Sequence, residues 1–262
     1  MADNTDITQW LEAMRASQDH LASIVAPLDP AALRTQSYDT EWTIAEVLSH
    51  LGSQAEIFNL FIDAAASGAP TPGAEQFAPV WERWNALPPE EQAAGALAAG
   101  AAIIERFEAL ADDESTSLTL DFAGMTLDLA GVASLRTPEH VIHTWDVEVA
   151  LDPAATLNPA GVPLIASVLS QRAGRFAKTV PGPFTLAVQT SDPELAWTIT
   201  AADAVALTEG ADAAETDAEL QLPTEAFIRL LYGRLDEAHT PADIAISGPV
   251  TLDQLRATFP GF

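Results

Sequence analysis

The sequence predicts an α+β chain of two domains, a helical bundle over residues 1–155 followed by a small α+β domain over residues 156–262. Three observations carry this reading. Up to about Asp152, apolar residues recur at helical spacing and helix-capping residues precede the runs. Asp152-Pro153 and Asn158-Pro159-Ala160-Gly161 then interrupt the pattern as a junction would. Beyond the junction, apolar and polar residues alternate with the period of a half-buried strand.

The elements follow in order. Residues 5–24 read as an amphipathic helix, with Ile7, Trp10, Leu11, Met14, Leu21 and Ile24 near one face. Thr43-Ile44-Ala45-Glu46 is a capping box, so a helix starts there and runs to about Ala66. On it Val47, His50, Gln54 and Phe58 share a face. A proline- and glycine-bearing loop, 68–73, leads to a short helix over Phe77–Leu87, and Pro88-Pro89-Glu90-Glu91 opens an alanine-rich helix to about Ala111. Leu118, Leu120 and Phe122, then Leu127 and Leu129, alternate as a hairpin would, with its turn around Ala123-Gly124. Thr137-Pro138 reads as an N-cap and first helical residue of a helix that Asp152-Pro153 ends. In the second domain, helix is expected over Val162–Ala177, with Pro163 in its first turn. Strands are expected over Phe184–Val188, Leu195–Ile199, Ala204–Leu207, Ala218–Leu222 and Asp243–Ile246. Two further helices are expected, Pro223–Tyr232, closed by Gly233, and Val250–Thr258.

Composition excludes several classes. A chain of 262 residues that is 48% hydrophobic can bury a full core. No apolar run approaches the roughly 18–20 residues that span a bilayer, and the acidic first residues are unlike a signal peptide. Thirty-eight acidic against eleven basic residues give a formal charge of −27, which repels nucleic-acid phosphates and anionic membranes. With no cysteine there is no disulfide, no zinc-thiolate site and no protein thiol nucleophile, so any sulfur chemistry needs an external thiol. A cytoplasmic location is expected.

Glu139 and His143 lie four residues apart, about one helical turn, so both project from one face and can share a cation. If the bundle brings His50 alongside, the three form a His2Glu set. Three protein ligands with an open fourth position mark catalytic zinc, whereas structural zinc is closed by four. On its own, Glu-x-x-x-His equally describes a surface ion pair, and a lone helix-face histidine a satisfied core residue.

The wider pattern adds to this. Arg136-x-x-Glu139-x-x-x-His143-x-x-Asp146, together with the run Trp42-Thr43-Ile44-Ala45-Glu46-Val47-Leu48-Ser49-His50-Leu51, resembles the mycothiol-dependent maleylpyruvate isomerase family, part of the DinB-like group of metal-binding four-helix bundles. A softer likeness at the other end, Leu231-Tyr232-Gly233-Arg234 and Ile244-Ala245-Ile246-Ser247-Gly248 before a closing helix, extends the resemblance over most of the chain. The second domain resembles the sterol-carrier type of α+β fold. The resemblance implies, equally with a start at Thr137-Pro138, an earlier helix start near Gly131; either way Glu139, His143 and Asp146 follow each other along one face. The resemblance implies that His50, Glu139 and His143 are ligands to a divalent metal, usually zinc, with mycothiol as the thiol cofactor. It implies an acid beside the site at Asp146, which could hold a ligand, orient a water or pair with a basic group. It also implies that Arg234 reaches a cleft and clamps a carboxylate; a cation at a helix C-terminus is the other reading of that residue. His20, His140 and His239 match no ligand position and are expected at the surface.

The function so implied is S-transfer or cis–trans isomerisation of a small acidic electrophile by a low-molecular-weight thiol on a divalent metal. The thiol and the electrophile are the expected partners, with no nucleic acid and no membrane. Two alternatives stand beside it, a thiol-independent metal hydrolase and a non-enzymatic binder of a lipid or small molecule.

Overall fold

Helix α1 (Ile7–Val25) starts at Asp6, whose carboxylate accepts from the Thr8 amide at 3.1 Å. The computed structural model describes residues 6–112, 118–122, 124–178, 182–211 and 215–261. Helix α2 (Ile44–Ser67) opens on the expected capping box: Thr43 Oγ1 accepts from the Glu46 amide, and Glu46 Oε2 accepts from the Thr43 amide at 2.7 Å. Gly68 closes it in the left-handed region. Helix α3 (Ala74–Asn85) and helix α4 (Pro89–Asp112) follow. Strands β1 (Thr119–Phe122) and β2 (Met125–Asp128) form the hairpin, with Phe122 opposite Met125. Gly124 stands in its turn; Ala123 lies outside the described residues, and Leu129, expected to end the alternation, opens the next helix.

Helix α5 (Leu129–Glu148) takes the earlier of the two expected starts, near Gly131, and overturns the N-cap reading of Thr137-Pro138. It begins eight residues before Thr137, where Asp128 Oδ1 accepts from the Gly131 amide at 2.8 Å. Pro138 therefore sits in the helix interior, a position that ordinarily costs about 3 kcal/mol. Packing decides the outcome: Val132, Ala133, Val141, Ile142, Trp145 and Val147 are all buried, and each large apolar side chain removed from water contributes roughly 1.5–3 kcal/mol. The helix also ends at Glu148 rather than at Asp152.

Helices α1, α2, α4 and α5 make a four-helix bundle: α1 packs on α4 and α5, and α2 on α4 and α5, with α3 on the flank of α2. Trp10, Met14 and Leu21 of α1 meet Leu48, Ala55 and Ile62 of α2, Ile103, Ile104 and Phe107 of α4 and Ile142 of α5 in the core. No helix among the described residues is long and apolar enough to cross a membrane.

The chain divides into two compact units with the boundary after Gly161. In the second unit the expected single helix is two, α6 (Val162–Ser167) and α7 (Leu169–Phe176), because Val168 leaves helical geometry at φ −111° and ψ 1°. Strands β3 (Phe184–Ser191), β4 (Leu195–Ala201), β5 (Val205–Glu209), β6 (Ala218–Pro223) and β7 (Ala245–Ser247) form one sheet in the order β5-β4-β3-β6-β7. Only the β3–β6 pair is parallel. Leu186, Val188, Trp197, Ile199 and Leu220 are buried, and the ring of Phe227 on helix α8 (Thr224–Leu231) packs tilted by 35° against Trp197, centroids 5.1 Å apart. Helix α9 (Leu252–Thr258) closes the chain with its own capping box.

Candidate metal centre

Helices α2 and α5 bring His50, Glu139 and His143 together. Glu139 Oε2 lies 3.7 Å from His50 Nε2 and 3.7 Å from His143 Nε2, and one donor atom from each residue falls within 4.8 Å of the others. Zinc with ligand distances of about 2.0–2.2 Å in a tetrahedron holds its donor atoms roughly 3.3–3.6 Å apart. The two separations from Glu139 come close to this spacing, and the three donors would draw together from within 4.8 Å to hold such an ion. Among the described residues this is the one His/Asp/Glu group with that geometry.

Hydrogen bonds behind the donor atoms fix which lone pairs face forward. Asp146, fully buried, holds His143 Nδ1 at 2.8 Å. A carboxylate accepts, so the imidazole proton sits on Nδ1 and Nε2 presents its lone pair. Arg136 Nη1 donates to Gln54 Oε1 at 2.5 Å, which orients the Gln54 amide so that its nitrogen donates to His50 Nε2 at 2.9 Å and to Glu139 Oε2 at 3.0 Å. The lone pair of His50 thus also lies at Nε2, where the Gln54 nitrogen occupies it, so Gln54 must turn aside for a cation to enter. Trp42 packs its ring 5.0 Å from the His50 ring and 6.2 Å from that of His143.

The charges suit a cation. Burial alone would raise the Glu139 carboxyl, but His50, the charge of His143 and the Gln54 amide together hold it down at about 2. Burial, with the charges of His143 and Arg136, lowers His50 against the pull of Glu139, so its imidazole stays neutral and able to ligate. Arg136 has no exposed surface, and burial lowers its guanidinium to about 10 in spite of Glu139. Its Nη2 donates to Leu51 O at 3.0 Å, its face lies 5.9 Å from the Phe58 ring, and its Nε has no hydrogen-bond partner among the described residues.

A cavity of about 1240 Å³ opens in front of the donor set, and His50, Gln54 and Glu139 all form part of its wall. Glu139 is 41% exposed at its side chain, so the donor set faces this space.

The remaining expectations fall as follows. Arg234 follows Gly233, whose φ of +74° and whose contact with Gly261 leave no room for a side chain: a Cβ there would sit 2.3 Å from the Gly261 nitrogen. Arg234 is buried, and its Nη1 donates to Tyr232 O at 2.8 Å. His20 pairs with Glu148 at 2.8 Å and His239 with Asp236 at 2.7 Å. His140 is not at the surface; it is 2% exposed inside the bundle, between Ser17 Oγ and Gln18 Oε1, each at 2.9 Å. Sequence reasoning also missed Gln54 and Arg136 as hydrogen-bonding neighbours of the candidate donors. The available signal was spacing, since Gln54 is one turn after His50 and Arg136 is one turn before Glu139.

A family model described as the mycothiol maleylpyruvate isomerase N-terminal domain matches residues 14–148. Among solved structures, the chain is similar to the crystal structure of a mycothiol-dependent maleylpyruvate isomerase, with 16% identity, a TM-score of 0.64, and coverage of 94% of this chain and 95% of that one. A histidine-to-alanine mutant of a mycothiol-dependent maleylpyruvate isomerase aligns with the same TM-score of 0.64 at 15% identity. At that identity the likeness establishes the fold, a helical N-terminal unit followed by a small sheet-containing one. No curated protein sequence matches the chain.

Proposed function

Because this chain belongs to the family of the mycothiol maleylpyruvate isomerase N-terminal domain, we propose that it is an enzyme that uses mycothiol on a divalent cation, zinc by its donor chemistry, to perform S-transfer or cis–trans isomerisation on a small electrophile. The observation that supports this most directly is the convergence of His50, Glu139 and His143 within 4.8 Å beside an open cavity.

The roles divide by position. His50 Nε2, His143 Nε2 and the Glu139 carboxylate are the three donors. A cation held there supplies the Lewis acidity that keeps a thiol ionised at neutral pH. Asp146 keeps His143 in its ligating tautomer and orientation. Until a cation enters, Gln54, held by Arg136, keeps Glu139 and His50 in register. The thiol is external by necessity, since the chain has no cysteine. In S-transfer the sulfur forms a bond to carbon while the leaving group departs with its electron pair. In isomerisation the sulfur adds to an activated double bond, rotation follows about the resulting single bond, and elimination returns the thiol. A cytoplasmic setting completes the reading.

The test combines metal content with turnover. Zinc-loaded protein and mycothiol should convert maleylpyruvate or a panel of alkylating electrophiles. Chelation should abolish this while the helical circular dichroism persists, because three ligands in a large bundle do not nucleate the fold. Full zinc occupancy with no thiol-dependent turnover would sink the proposal, and hydrolysis that proceeds equally without thiol would replace it with the hydrolase reading.

A further inference from the structure

The wall of the cavity that adjoins the donor set has a definite chemical character. Six aromatic side chains line it: Trp42, Phe58, Phe61, Phe77, Trp81 and Phe122. Four of them run as a connected row from α2 through the hairpin to α3. Phe122 stacks on Phe58 at 5.6 Å and 9° and meets Phe61 at 4.9 Å, and Phe61 meets Phe77 at 5.6 Å. Trp81 extends the row 5.9 Å beyond Phe77 and is 44% exposed, an unusual place for an indole that serves only the core.

The charged groups in that wall are all of one sign. Glu46, Asp121 and Glu139 line it, and no lysine or arginine does among the described residues. Glu46 is already engaged with the start of α2, and Glu139 with the donor set. The other polar groups of the wall, such as Asn85, Ser53 and Gln92, are neutral. Away from the donor set, a carboxylate entering this space would leave water for aromatic faces and like charges with no lysine or arginine to meet it, under the field of a chain of net charge −27. An apolar ring would instead displace water from apolar wall and stack on the row. At about 1240 Å³ the space exceeds the roughly 300–1,000 Å³ of an ordinary small-molecule pocket, which leaves room for a bulky body beside a thiol cofactor.

We infer that this cavity binds the uncharged, aromatic body of the electrophile, so that the preferred substrates carry a ring system next to the reacting carbon and place no negative charge in the space between α2, α3 and the hairpin. The catalytic part of this inference rests on the function proposed above; the binding part does not. In the S-transfer case the thiol sulfur forms the new bond to a benzylic carbon. The carbon–halogen bond breaks, halide leaves with the electron pair, and the thiol proton passes to solvent.

Two measurements test it. Titration of the metal-free protein, in which no cation competes for a carboxylate, with methylnaphthalene and with naphthoate, neither of which reacts, reads binding by tryptophan fluorescence without any turnover. Methylnaphthalene should bind at least about tenfold more tightly, because the carboxylate of naphthoate finds no partner in the wall. Replacing the exposed indole by a cation, Trp81→Arg, should shrink or invert that preference, and Trp81→Ala should weaken methylnaphthalene with little effect on fold. Equal or tighter binding of naphthoate to the unaltered protein would overturn the inference, as would a Trp81→Arg variant with an unchanged preference. Turnover with mycothiol then compares benzyl chloride with para-(chloromethyl)benzoate, and kcat/KM should favour the neutral compound. A retained binding preference with no turnover of either compound would uphold the cavity's selectivity and count against the thiol chemistry alone.

Discussion

His140 and His143 stand three residues apart on one helix, and they do opposite things. Exposure barely separates them, at 2% and 9%. Their neighbours do. Behind His143 stands the carboxylate of Asp146, and in front of it lie Glu139 and His50, which border the cavity. Around His140 there are only hydroxyls and an amide. Gln18 gives its nitrogen to Leu97 O at 3.0 Å, so its oxygen accepts from His140 Nε2 and the Ser17 hydroxyl is left to donate to Nδ1. Both ring nitrogens of His140 are consumed by neutral partners, and no lone pair remains for a cation. A carboxylate behind and open space ahead make a ligand; a closed neutral network makes a packing node. Gly100 belongs to that node, because a Cβ there would sit 2.2 Å from Gln18 Oε1.

The contrast can be broken by substitution. His143→Ala should have the largest effect: zinc affinity should fall by more than the roughly 10–100-fold that losing a supporting partner costs, with the helical signal retained. Competition with a chromophoric chelator reads this directly. If His140→Ala cost as much metal affinity, the division of labour would be wrong. Asp146→Asn comes next. It keeps the shape of the side chain but removes the charge behind His143, so zinc should bind about 10–100-fold more weakly. An affinity equal to that of the parent protein would show that Asp146 is not setting the tautomer.

His140→Leu should act on stability instead. Ser17 and Gln18 would be left buried without their partner, a cost of about 1–3 kcal/mol, while zinc affinity should change by less than about threefold. Urea denaturation of the metal-free protein measures the first quantity and chelator competition the second. The smallest effect is on pH dependence. His140 is held neutral well below the ordinary histidine value of 6.5, first by burial and then by the charges of Arg136 and His143. Below pH 6.5 the unfolded chain therefore binds a proton that the folded one refuses. The stabilisation from this group is complete above that pH and is lost as the pH falls toward the depressed folded value. His140→Leu should remove that part of the acid slope, and an identical slope in both proteins would mean that His140 takes up its proton in the folded state.

Much of this was readable before any coordinates. The capping box at Thr43, the Gly124 hairpin and the alternation of β3 and β4 are local devices, and each appears where its residues stand. The pairing of Glu139 with His143 was readable too, because four-residue spacing on a helix is itself geometry, whereas His50 was tied to them only through the family resemblance. Where the reading failed, distant contacts overrode local signals. Thr137-Pro138 has the chemistry of a helix start, yet α5 runs through it because its residues are buried on several sides. His140 looked like a surface residue because nothing nearby in the chain shows that Ser17 and Gln18 arrive from α1, more than a hundred positions away.

Residue spacing alone set the phase of each helix and hence which side chains share a face, since 3.6 residues per turn leave little choice. Composition alone set the charge and the need for an outside sulfur. Only packing decided which of two histidines on α5 keeps a free lone pair. It also decided that an arginine with no exposed surface stands behind the ligands, and that the space before them is walled by aromatic rings. Lone pairs and cavities belong to the partners that surround them, and those partners come from helices that meet only when the chain has folded.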